Sequence, residues 1–171
     1  MPALKKLNPI PKFVFKFLFW MLLLALIIGY LKTAFPQVIS GYVTFTASVA
    51  KLLLNLFGLQ ATQDQNMLNL GNFSVQVVLE CAAAYQILVF CAAVIAFPAK
   101  AKPKLLGILL AVPLFYFIDL LRISTLLIVG NYGPEFFDFV HLYTGQIFVI
   151  FIVILAWLAW IKKFAHGGKT A

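Results

Sequence analysis

The sequence is short of acid. Five Asp and Glu stand against thirteen Lys and Arg, and only 11% of the 171 residues are charged. Arginine is scarcer still: Arg122 is the one guanidinium in a chain with twelve lysines. There are two cysteines, Cys81 and Cys91, and two histidines, His141 and His166. Each scarcity excludes something. On one helix the two cysteines would stand about 15 Å apart, too far for a disulfide. A single histidine and a single cysteine near each other fall short of a metal-ligand set, so no metal and no other cofactor is expected. The net charge of +8 does not read as a nucleic-acid surface. The lysines cluster at Lys5, Lys6, Lys12 and Lys16, at Lys100, Lys102 and Lys104, and at Lys162, Lys163 and Lys169. Every cluster flanks a long apolar run, where the inward-facing charges of a membrane protein belong.

Apolar residues are what the chain has in excess, at 64%. A soluble domain of this size cannot hide so much apolar surface. The expected class is an all-α polytopic membrane protein forming a single domain over residues 1–171, with the lipid bilayer as its surroundings. Four segments, about 13–31, 82–97, 105–129 and 142–161, are long and apolar enough to cross roughly 30 Å of hydrocarbon. The first is longer than a signal-peptide core, and "GYLKTAFPQ" is a poor small-residue cleavage site, so it reads as a retained span. Residues 37–57 differ. Ser40, Thr44, Ser48, Lys51 and Asn55 recur every three or four positions and make one polar stripe, the pattern of an interfacial helix or one packed on the bundle.

Parity supports the interfacial reading. The N-terminus, the "AKAKPK" loop and the "KKF" tail all look cytoplasmic, so an even number of crossings separates the first two. Four spans in a cell membrane then place both termini inside and leave 32–80 and 130–141 outside. Every acidic residue except Asp119 falls in those two outer stretches. Within the outer segment 58–80, "NFSVQVVLE" after "LGN" suggests a short strand or hairpin leading into the second span. "AFPAKAKPK" reads as an inner turn, and Pro113 as a kink in the third span.

Arg122 sits deep in that third span, where a guanidinium is costly and usually functional. At 1.5 Å per residue, Arg122 lies roughly 27 Å from Lys104, Cys81 roughly 28 Å from Lys100, and His141 roughly 31 Å from Lys162. Three spans therefore bring a thiol, a guanidinium and an imidazole to one outer depth. The chemistry is coherent. A cysteine opening a helix is favoured as thiolate by the N-terminal dipole. Histidine exchanges protons near neutral pH. A permanent cation with several donors can hold an oxyanion. Together they suit acyl transfer through a thioester.

Each residue has a plainer reading beside this one. Cys91 is best explained as an apolar filler, and Cys81 alone could be the same. His141 could be an interfacial polar residue, and an arginine near a helix end can snorkel. Asp119, three residues before Arg122 on the same face, can neutralise it. Glu80 could orient the histidine, pair with Arg122, or be an ordinary interfacial carboxylate. His166 stands at the inner end and takes no role.

"LECAAAYQ" before one apolar helix, "DLLRI" late in the next and "GPEFFDFVHLYTGQ" before the last resemble the exosortase/archaeosortase family over roughly residues 55–161. These are polytopic membrane enzymes that process exported proteins bearing a C-terminal sorting signal: a short motif, a transmembrane helix and a basic tail. The resemblance implies Cys81, Arg122 and His141 as catalytic residues, with an amine, a lipid or water as acceptor. The chain departs from the family pattern at Ala82 and Ala83, where a serine or threonine and a glycine are usual, and at Asp119, where an asparagine is common. Its shortness is like that of the small exosortase subfamily paired with a tryptophan-containing signal. Two alternatives stay open: a non-catalytic membrane assembly factor, and a purely hydrolytic intramembrane cysteine protease.

Overall fold

The computed structural model describes residues 9–165, side chains at positions 9, 81, 144–146 and 165 excepted. Lys5, Lys6, His166 and Lys169, and the thiol of Cys81, therefore lie outside the described residues. The chain is an all-α polytopic membrane protein carrying one small antiparallel sheet.

Helix α1 (Pro9–Ala34) is apolar around its circumference, as a lipid-facing rod must be. It packs along α3 (Ala84–Ala96). Pro36 forces the break that follows, because the residue before a proline is pushed out of the helical region. Phe35 accordingly has φ −134°. Pro36 then sits in the first turn of α2 (Pro36–Leu56), where its missing N–H costs nothing. Val43, Thr46, Ala47, Ala50 and Leu54 recur at helical spacing and are buried. Ser40 and Ser48 of the polar stripe stay exposed.

Gly58 closes α2 in the left-handed conformation at φ +81°, the usual glycine exit from a helix. The Asn55 side-chain oxygen then accepts the Ala61 N–H at 2.8 Å and turns the chain toward the sheet. Strands β1 (Thr62–Asp64), β2 (Met67–Leu70) and β3 (Phe73–Gln76) pair antiparallel in that order, so β3 is an edge. Two-residue turns join them, with Gln65 at φ +50° and Gly71 at φ +57°, the signs that tight hairpins demand.

Ala101–Tyr132 forms α4, which at 32 residues is about 48 Å long and outruns any hydrocarbon layer. It serves two cores. Its C-terminal half gives Leu120, Ile123 and Leu127 to a cluster with α2 and the sheet. Its N-terminal half gives Ala111 and Phe115 to a cluster with α3 and α6 (Val149–Trp160). After Tyr132 a 3-10 turn, Pro134–Phe136, leads into α5 (Phe137–Leu142), and a π-helical stretch, Tyr143–Phe148, joins α5 to α6 without a break. By length and composition Ile10–Ala34, Pro36–Leu56 and Ala101–Tyr132 could each cross a membrane, while Ala84–Ala96 is shorter. Phe97 is extended before Pro98, which ends α3 at Ala96.

The end of the bundle where α4 begins and α6 finishes is locked by one indole. Trp160 donates Nε1–H to the Pro103 carbonyl at 2.9 Å. Its ring fills the space above Gly107, where a Cβ would lie 2.2 Å from Nε1. Nearby, Lys104 donates to the Ile95 carbonyl at 2.7 Å, tying the start of α4 to the last turn of α3. Gly107→Ala should therefore overpack this contact at a cost of about 1–3 kcal/mol. A lowered thermal midpoint in detergent would register it, with Gly29→Ala, which meets nothing within 4 Å, as the control expected to unfold like the parent.

Candidate functional site

Arg122 and Asp119 stand three residues apart on α4, an arrangement that puts them on one helix face. They form an ion pair, Nη2 to Oδ1 at 3.0 Å, with side-chain exposures of 8% and 1%. Charges this buried are tolerated only when paired and hydrogen-bonded. The Asp119 carboxylate accepts Gln86 Nε2–H at 3.5 Å and lies against the Ala83 backbone N–H. The pair thus sits under the first turn of α3. Asp119 neutralises Arg122, as their spacing suggests.

Cys81 does not open α3. It ends a single 3-10 turn, Leu79–Cys81, closed by the Ala82 N–H to the Leu79 carbonyl at 3.2 Å. Ala82 is extended at ψ 160°, so two residues separate the cysteine from the helix proper. Even so, its backbone lies two positions before the amide that faces Asp119. Glu80 turns the other way. It binds Lys32 at the top of α1 rather than Arg122 or His141. The Lys32 ammonium donating to it holds the Glu80 carboxyl below the usual carboxylate range.

His141 is on α5 and exposed. Its ring is stacked on Phe137, centroids 5.7 Å apart at 17°. Phe137 packs in turn on Phe73 of β3 at 5.0 Å. The Phe73 ring packs against α4 at Gly130, where a Cβ would lie 2.0 Å from its Cε1. An aromatic relay therefore sets the imidazole against the sheet. The result is a cavity of about 230 Å³ that Arg122 and His141 both line, together with Ile123, Leu126, Phe137 and the run Phe73, Ser74, Val75, Gln76 and Val77. Arginine and histidine, from separate helices, share one chamber. The strand bordering it runs directly into the turn that carries Cys81.

The family model for transmembrane exosortases matches residues 11–160. The chain belongs to the transmembrane exosortase family. No curated protein and no solved structure matches it. Within this exosortase, sequence reasoning overlooked Gln86, Phe73 and Phe137. Gln86 was visible as a lone amide in the first turn of an apolar helix. The two phenylalanines carried no sign of their role, because their relay depends on how the sheet seats over Gly130.

Two outcomes follow from the electrostatics. Arg122→Met, leaving Asp119 buried and alone, should destabilise by about 3–5 kcal/mol, while Asp119→Leu with Arg122→Met should recover much of that loss. Chemical or thermal unfolding of the three proteins measures it. Glu80 has a lowered folded-state value, so its stabilisation is present above the ordinary carboxylate range and is lost as pH falls through that lowered value. Glu80→Gln should unfold earlier than the parent at neutral pH and coincide with it in acid.

Proposed function

We propose that this exosortase is a membrane-embedded cysteine transpeptidase that removes the C-terminal sorting signal of exported proteins. One observation carries the reading: Arg122 and His141 line a single cavity whose bordering strand leads into the Cys81 turn. A thiolate at Cys81 attacks the substrate carbonyl, forming the C–S bond and pushing the π electrons onto oxygen. The Arg122 guanidinium, its orientation held by Asp119, meets that oxyanion. His141 takes the thiol proton and returns it to the leaving amine as the C–N bond breaks. An incoming amine, a lipid-borne nucleophile or water then attacks the thioester, yields its proton to the imidazole and releases Cys81.

The site belongs at the outer face of a cell membrane, with both termini in the cytoplasm. Open sheet edges do not lie in lipid hydrocarbon, so the sheet marks the aqueous side. Helix α2 packs on that sheet through Val43, Ala47, Ala50 and Leu54. Phe45, Leu52 and Leu56 form a second, exposed apolar row. One row against the sheet, one toward lipid and a polar stripe toward water suit a helix lying at the outer interface. A substrate helix with a basic tail takes the same inside-positive orientation and offers its preceding motif at this level.

Cells expressing Cys81→Ala should insert the protein normally and accumulate substrate with its C-terminal signal intact. Mass spectrometry of C-termini, with and without the gene, is the measurement, and normal processing by this variant would remove the nucleophile. A mass increment at the new C-terminus marks transfer to an acceptor, and a bare carboxylate marks hydrolysis. An assembly factor without chemistry would tolerate both Cys81→Ser and Arg122→Lys.

A further inference from the structure

The cavity that holds Arg122 and His141 is lined by five consecutive residues, Phe73 to Val77. A cavity under the face of a strand touches every second residue, because neighbouring side chains point to opposite faces. Contact with every residue in turn means that the strand's edge itself borders the space. Strand β3 is an edge, paired with β2 on one side only.

The hydrogen-bond phase of that edge can be fixed. Val77 gives its N–H to the Asn66 carbonyl at 2.8 Å, and the Asn66 side chain donates back to the Val77 carbonyl at 2.9 Å. Val77 therefore points its backbone groups toward β2. By strand alternation, so do Val75 and Phe73, opposite Leu68 and Leu70. Ser74 and Gln76 then point theirs away from β2. Among the described residues, no backbone partner meets them there. The Ser74 side chain is occupied elsewhere, donating to Asn69 Oδ1 at 2.6 Å. Two residues' worth of donors and acceptors, about 6.8 Å apart, thus face the chamber of Arg122 and His141.

Unpaired strand edges are templates for a further strand. We infer that the outward edge of β3, at Ser74 and Gln76, binds the substrate's motif as an added extended strand, laying its backbone carbonyls along Arg122 and His141. This rests on the catalytic reading above and deepens it, because it says how a peptide bond is held there. Recognition is then shared between backbone pairing, which any extended peptide offers, and the pockets that alternate substrate side chains meet.

Proline tests the backbone without breaking the fold. An edge strand tolerates it where the N–H faces outward, so Ser74→Pro and Gln76→Pro delete one outward donor each and spare the β2 ladder. The probe is the membrane protein whose C-terminus goes unprocessed when this gene is removed, co-expressed with the full chain. Each proline should lower its processing about tenfold more than alanine at the same position, since alanine keeps the amide. Equal losses for proline and alanine would overturn the inference. Should a proline variant unfold, hydrogen exchange on the Cys81→Ala chain in lipid nanodiscs decides instead. Ser74 and Gln76 amides should slow when that substrate is bound, with Phe73 and Val75 unchanged. Unaltered exchange at Ser74 and Gln76 would reject strand addition. If Cys81→Ala proves to process normally, the nucleophile falls, and the exchange result still decides the edge.

Discussion

An ion pair with side-chain exposures of 8% and 1% has to be satisfied by whatever surrounds it, because water cannot. Asp119 and Arg122 impose that demand in the C-terminal half of α4. Much around them answers it. The first turn of α3 supplies Gln86 and the Ala83 amide to the carboxylate. The sheet and α2 close over the same side of α4 through Leu120, Ile123 and Leu127. Pairing two charges so that one orients the other lets a cation be present at a cavity wall at modest net cost. An unpaired arginine there would have had to reach for water and leave the site.

Helix α4 ties this region to the rest. Tyr116 packs against both clusters, the one beneath the sheet and the one around Phe90 and Phe115. Below, Trp160 bridges α6 to the start of α4. Nearby, Phe13 stacks on Trp157 with ring centroids 5.6 Å apart, and Phe97 meets both rings edge-on. Aromatic rings collected beside lysines are what a membrane boundary selects. The bundle is thus braced near the start of α4 by rings and in its C-terminal half by a buried charge pair. Arg122 and His141, between such braces, both stand on helices.

Much of this was legible from residue order, and the reason is the regularity of helices. A fixed rise per residue let lysine positions act as rulers, so Arg122 and His141 could be expected at one depth before their shared cavity was known. The Asp119–Arg122 pair followed from three-residue spacing. What escaped was anything set by irregular backbone. The extended conformation at Ala82 delays α3, so Cys81 closes a turn instead of opening a helix. Glu80, beside it, faces Lys32 for the same reason, since one 3-10 turn rotates neighbours differently from an α-helix. The hairpin foreseen from "LGN" became three strands, because "ATQD" carries too little β signal to be read as β1. The Phe73–Phe137–His141 relay depends on a ring resting on Gly130, and no local pattern announces such a contact.

Between the imidazole and the apolar seam of the last helix lies the π-helical stretch Tyr143–Phe148. A wider turn there absorbs a residue that an α-helix would not, which sets the angle between His141 and the face bearing Val153 and Trp160. Wound as regular α-helix with every residue kept, the stretch would swing everything beyond by about 100°. Either the imidazole or the indole would then face the wrong way.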